Sequence, residues 1–234
     1  MNTPLKIFCA GAVKSAIMNF AQPFERDTGH RLQFTFGTVG GLVDKVDAGE
    51  PADVLVLTRP SLEQIAQRGK VLQEAIVDLG RVGVGIAVRS DAPSPDVSSP
   101  DALRTALIAA KSLAYGDPAK GDSSGIHFAK VLDRLNIAQE MGARTILAAV
   151  GLAVAELVEK GEAEMGATQA SVILARRGIK LAGLLPASLQ HLTTYAAAVT
   201  IDAASGDAAR RFIGYLTTPS AKAGFAQAGF DPPS

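Results

Sequence analysis

Apolar positions recur along this chain with two different periods, and each change of period marks an element. Leu5 to Cys9 is a short apolar run that reads as a strand, with Ala10-Gly11-Ala12 as its turn. Val13, Ala16, Ile17, Phe20 and Phe24 then fall on one helical face. Pro23 lies inside that helix and predicts a kink or break, because an interior proline costs ~3 kcal/mol. Leu32, Phe34 and Phe36 alternate with Gln33 and Thr35 as a second strand; Gly37-Thr38-Val39-Gly40-Gly41 interrupts it, and Leu42, Val43 and Val46 resume at helical spacing. Val54 to Leu57 is an unbroken apolar run of the kind found in parallel strands covered on both faces. It leads to Arg59, and Ser61 is the expected cap of a helix that reaches about Arg68 and stops at Gly69. Three strand–turn–helix units in succession imply right-handed crossovers and a parallel sheet, an α/β fold.

Farther along, the apolar pattern predicts one strand over 81–89, a proline-rich loop over 91–100, a helix over 101–110 and a strand over 112–115. A glycine- and serine-rich turn, 116–125, precedes a helix over 126–135, with Ser123 and Ser124 as cap candidates. The stretch 145–160 reads as one apolar helix, and 166–171 as a third polar turn between strand and helix. Strands over 180–185 and 194–200, then helices over 207–216 and 220–228, finish the chain.

A strand, a glycine-rich turn and a helix together aim unpaired amides and the positive end of a helix dipole at one point, which suits an anion. The turn at Gly37–Gly41 has this form, with a hydroxyl on Thr38, and 116–125 repeats it. Lys14 opposes the dipole in a first helical turn, and it reads either as a solvated surface lysine or, if the turn faces a cleft, as one that meets a bound anion. Arg59 stands at the carboxyl end of a strand, where open α/β sheets bind ligands. Lys120 and His127 are further cationic donors.

Composition narrows the field. With 23 basic and 23 acidic residues the formal net charge is zero, and aromatics make up 5%, so neither nucleic acid nor an anionic membrane surface is an expected partner. The single cysteine, Cys9, excludes an internal disulfide and reads as a small core residue. No Cys/His cluster has metal-ligand spacing, and neither a metal nor another cofactor is expected. No apolar run approaches the ~18 residues of a membrane span. Met1-Asn-Thr-Pro-Leu-Lys lacks the pattern of a leader, so the chain as written is expected in the cytoplasm, or in the periplasm if a signal was removed.

The segments KIFCAGAV, FGTVGGLVDKVDAGEPADVLVL, GDPAKGDSSGIHFAKVL and VEKGEAEMGATQ, in this order, resemble the molybdate-binding solute-binding proteins of ABC importers. The resemblance covers nearly the whole chain. It implies the type II periplasmic-binding-protein fold: two α/β lobes with a ligand cleft between them, one lobe from 1–82 and 195–234, the other from 83–194. It also implies a ligand site at Gly11, Ala12, Lys14, Thr38, Val39, Gly40, Arg59, Ser123, Ser124, Gly125, Val150 and Gln169, and an ABC permease as partner if the chain is exported. Where the family's oxyanion site has serines this chain has Ala12 and Val39, and where it has a tyrosine, Gln169. A dehydrated tetrahedral oxyanion needs a donor on nearly every oxygen, so these departures favour a small organic di- or tricarboxylate over molybdate.

Two segments, DPAKGDSSGIH and GLLPASLQHLTTYAAAV, look like those of a branch that includes aconitate isomerase. That likeness implies a cofactor-free allylic proton shift, with Lys14 and His127 as the proton-transfer candidates. The amides of Thr38, Gly40 and Ser124, with Arg59, would then hold carboxylates. Three readings stay open at this point: a solute-binding protein for a small anion, an isomerase, and a ligand-sensing module in the cytoplasm.

Overall fold

In the computed structural model, which describes residues 3–233, strand β1 (Leu5–Ala10) passes through a 3-10 turn, Gly11–Val13, into helix α1 (Lys14–Thr28). β2 (Leu32–Gly37), α2 (Val39–Asp47), β3 (Val54–Thr58), α3 (Arg59–Gln67) and β4 (Val77–Val82) follow. The middle of the chain forms β5 (Val84–Arg89), α4 (Pro100–Ala109), β6 (Leu113–Gly116), α5 (Ser123–Arg134) and α6 (Ala138–Gly142). It continues with β7 (Thr145–Ala148), α7 (Gly151–Glu159), β8 (Met165–Gln169), α8 (Ala170–Leu174) and β9 (Ile179–Leu184). β10 (Thr193–Val199), α9 (Gly206–Leu216) and α10 (Pro219–Gln227) complete it.

These elements form two units. The first takes the chain through Val82 and again from Thr193; the second is Gly83–Leu192. Met1, Asn2 and Ser234, at the ends of the span assigned to the first lobe, lie outside the described residues. Each unit has one five-stranded sheet, ordered β2-β1-β3-β10-β4 in the first and β7-β6-β8-β5-β9 in the second. Within each, three parallel strands are followed by a strand that runs antiparallel to both its neighbours.

Helices cover both faces of the first sheet, which is why β3 is buried at every position. Leu42, Val46, Leu62 and Ile65 pack with Phe8, Leu55 and Leu57. A second group is aromatic: Phe24 meets Phe212 edge to face at 5.0 Å, and Phe20 stacks on Phe225 at 6.2 Å. The core of the second unit gathers Leu103, Leu107, Phe128, Val131 and Met141 against Val84, Ile86 and Leu113.

Several expectations are corrected. The single strand expected over 81–89 is two, β4 and β5, one in each sheet. Residues 82–88 are all buried, so no polar position marks the change of sheet. Gly83 divides them, and the Gln190 side chain bonds both the N–H and the C=O of Val84, at 3.0 and 2.9 Å, like a ladder partner. Helix α1 runs through Pro23 without a break, anchored on either side by buried Phe20, Ala21 and Phe24. The stretch 145–160 is not one helix. Thr145–Ala148 pairs with β6 as a parallel strand, and the helix begins only at Gly151. Most of the turn expected over 166–171 belongs to β8, which ends at Gln169. Ser61 does not cap α3: the helix starts at Arg59, with Pro60 in the first turn where a missing N–H costs nothing, and the Ser61 hydroxyl bonds Thr58 Oγ1 at 2.8 Å.

Candidate functional site

In the first unit, β1 pairs with β2 so that Ala10 lies beside Gly37, and with β3 so that Cys9 lies beside Val56. Three parallel strands in this register release their following turns at one edge of the sheet, the carboxyl edge. Gly11 and Ala12 lie in the turn after β1, and Thr38, Val39 and Gly40 in the turn after β2. Thr38 caps α2, its Oγ1 accepting from Gly41 N–H at 3.0 Å. The amides of Val39 and Gly40, in the first turn, have no acceptor within the helix itself.

Lys14 opens α1 beside them. Its Nζ stands 5.0 Å from the centre of the Phe36 ring, which in turn stacks on Phe34 at 5.3 Å. Among the described residues no carboxylate forms an ion pair with it. An aromatic face steadies an ammonium without cancelling its charge, so Lys14 remains available to an anion.

Arg59 is placed differently. Its Nη1 donates to Asp78 at 2.7 Å and its Nε to Glu63 at 3.0 Å. The hydrogen bond it donates to Asp78 is the main cause that pushes the guanidinium pKa up. Two carboxylates neutralise it locally, which ties α3 to β4 and leaves it a weaker anion holder than its place at the strand end suggests.

In the second unit, β6, β7 and β8 are parallel and likewise open into helices at their carboxyl ends. The turn after β6 carries Asp122, not Ser123 or Ser124, as the cap of α5, which begins three residues earlier than expected. Asp122 is 7% exposed. Its Oδ1 accepts from Gly125 N–H at 2.9 Å and from the Ser124 hydroxyl at 2.6 Å. Its Oδ2 accepts from Gly151 N–H at 2.9 Å. Val150, the residue before α7, gives that helix no side-chain cap; Asp122 supplies one from 29 residues away.

Gly125 and Gly151 make this approach possible. A Cβ on Gly125 would run into the carbonyl of Gly116, and one on Gly151 would lie 2.6 Å from Thr168 Oγ1 and 3.5 Å from Asp122 Oδ2. Thr168 is wholly buried, and its hydroxyl has no hydrogen-bond partner among the described residues. Ser124, Gly125 and Gly151 therefore come together within the second unit around Asp122 and Thr168, with Val150 and Gln169 next in sequence to Gly151 and Thr168.

His127 is held by the loop that precedes β10. Its Nε2 lies 2.8 Å from the carbonyl of Leu189, so that nitrogen must carry the hydrogen, leaving Nδ1 as the acceptor. Arg134 donates to Ser188 O at 2.9 Å in the same loop, and the His191 ring is 5.4 Å from that of His127. Burial lowers the His127 pKa; His191, Lys130 and Arg134 lower it further, against the opposing pull of the Leu189 carbonyl. Cys9 is fully buried, and burial alone pushes its thiol pKa far up, as in a core residue without nucleophilic use. No group of His, Cys, Asp and Glu that could hold a metal occurs among the described residues.

Sequence reasoning missed Asp122 and Thr168. An aspartate three residues before Gly125, ahead of an apolar helix, is a legible cap signal. Its second partner and the burial of Thr168 have no local signature.

Comparison with known proteins agrees with this architecture. Residues 5–231 match the family model of the bacterial extracellular solute-binding proteins. An aconitate isomerase of Pseudomonas sp. is 30% identical over 98% of this chain and 88% of its own. The molybdate-binding protein of Escherichia coli (strain K12) is 24% identical over 97% and 88%. Among solved structures, the periplasmic molybdate-binding protein of Azotobacter vinelandii superimposes with a TM-score of 0.80 at 21% identity, covering 98% of this chain and all of that one. The fold is thus that of the type II periplasmic-binding proteins, and the chain belongs to the bacterial extracellular solute-binding protein family.

Proposed function

We propose that this protein captures a small organic anion, a di- or tricarboxylate, at the turns that follow its parallel strands. The observation that carries this reading is Lys14: an ammonium at the carboxyl edge of the first sheet, seated over Phe36 and unclaimed by any carboxylate among the described residues. A charged donor beside first-turn amides suits a carboxylate, since charge-assisted hydrogen bonds are about twice as strong as neutral ones. Ala12, Val39 and Gln169 offer little of the hydroxyl cage that a tetrahedral oxyanion needs. Thermal-shift and calorimetric screening against aconitate, citrate, malate, molybdate, tungstate and sulfate tests the ligand class. A ligand at ~100 times its dissociation constant adds about 2.7 kcal/mol of stability. Polycarboxylates are expected to raise the melting temperature; a response to molybdate alone defeats the reading.

The 30% identity with an aconitate isomerase favours a second reading, in which the same site moves a proton along an allylic tricarboxylate. Lys14 and the Nδ1 of His127 are then the proton-transfer candidates, with Thr38, Gly40 and Ser124 amides holding carboxylates. Incubation with cis- and with trans-aconitate, followed by proton NMR, separates the two. Interconversion establishes the enzyme, and its absence at saturating ligand leaves capture alone.

A further inference from the structure

Asp122 places a negative charge where an anion cradle would be expected to offer only donors. The starts of α5 and α7 meet in the second unit, and the side chain between them is the chain's own carboxylate. Gly125 N–H, Gly151 N–H and the Ser124 hydroxyl all point to it, at 2.9, 2.9 and 2.6 Å. Aspartate is a common helix cap, so one such bond alone is unremarked local chemistry. A single carboxylate that caps its own helix and also a second one beginning 29 residues on, with Ser124 Oγ and Thr168 Oγ1, buried and without a partner among the described residues, close around Gly151, is a different arrangement.

We infer that Asp122 is a specificity-determining residue, one that turns compact tetrahedral dianions such as molybdate and sulfate away from this protein. The inference rests on the capture of an organic anion proposed above. A compact dianion holds its charge on four oxygens around one atom, and each needs a donor once water is removed. Here three donors are already bound to Asp122, and the carboxylate that took them repels the same guest. An extended polycarboxylate carries its charges at separate ends, so one carboxylate can take the remaining first-turn amides of α5 while the rest of its charge lies away from Asp122.

The test uses the whole protein and the two neutral variants Asp122→Asn and Asp122→Ser, both residues that cap helices well. Calorimetry at constant ionic strength measures molybdate, sulfate and citrate binding, and thermal melts confirm folding. The expected result is at least a tenfold gain in affinity for molybdate or sulfate in a folded neutral variant. Folded variants with unchanged oxyanion affinity overturn the inference. Should neither variant fold, the unaltered protein decides: micromolar or tighter molybdate or sulfate binding overturns the inference, and millimolar or weaker binding supports it. Citrate and aconitate binding by the unaltered protein tests the organic-anion reading separately. A protein that ignores both yet gains molybdate on losing the charge keeps the role of Asp122 and loses the ligand class.

Discussion

In the first unit, β1, β2 and β3 each end in a turn that starts a helix; in the second, β6, β7 and β8 do the same, within an equivalent strand order. The turns of the first unit carry Lys14, held over Phe36 without a carboxylate among the described residues, and Thr38, which caps its own helix. Those of the second carry Asp122, whose carboxylate joins two helix starts. One backbone plan thus ends in an available cation in one copy and a committed anion in the other. The fold supplies converging amides in both; the side chains decide whether those amides remain open to a guest.

The sharpest challenge to this contrast is steric. Gly125→Ala drives a methyl group into the Gly116 carbonyl, backbone that cannot turn aside, and should cost about 3 kcal/mol in urea denaturation. Gly41→Ala meets only the Thr38 hydroxyl, at 3.1 Å, and should stay within about 1 kcal/mol of the parent. Equal losses would erase the distinction between a tight second-unit turn and a roomier first-unit one. Next comes capping. Asp122→Ala leaves three donors without their acceptor, a loss of roughly 2–3 kcal/mol, whereas Thr38→Ala removes one cap bond. The Thr38→Ala cost should be about 1 kcal/mol by the same denaturation assay.

Lys14→Ala separates binding from stability. Its citrate or aconitate affinity should fall at least tenfold, about 1.4 kcal/mol, as read by calorimetry. The melting temperature without ligand should barely move, because Lys14 is exposed. Unchanged affinity would remove Lys14 from the site.

The smallest effect concerns pH. His127 has a lowered pKa in the fold, chiefly through burial, so protonation favours the unfolded chain. Its contribution to stability is full above the unfolded value of about 6.5 and is lost as pH falls through the lower folded value. His127→Gln should therefore flatten the acid-side loss between pH 7 and 5 slightly. A steeper loss in the variant would reverse the sign of the argument.

Much of the first unit is readable in one dimension. The alternation at Leu32, Phe34 and Phe36, the break at Gly37 and the helical spacing of Leu42, Val43 and Val46 all depend on neighbours within four residues, and β2 and α2 follow from them. The stretch 81–89 defeats such reading, since a chain buried in one sheet looks the same as it crosses to another. The segment 145–160 defeats it for a related reason: Thr145–Ala148 is a strand because β6 lies alongside, and its own spacing fits a helix as well. Arg59 is legible as a cation at a strand end, yet its neutral surroundings come from Asp78, 19 residues on, beside it only because α3 and β4 pack in one unit.

By itself, then, the sequence determined the α/β layering, the glycine turns and the residue types gathered in them, because period, capping and turn chemistry act over a single helical turn. Tertiary structure alone decided which of those residues are open and which are bound. Asp122 reaches Gly151, and Thr168 loses its access to water, through the order in which β6, β7 and β8 are laid side by side. Hydrogen bonds and desolvation depend on distance in space, and strand order sets that distance where separation along the chain does not.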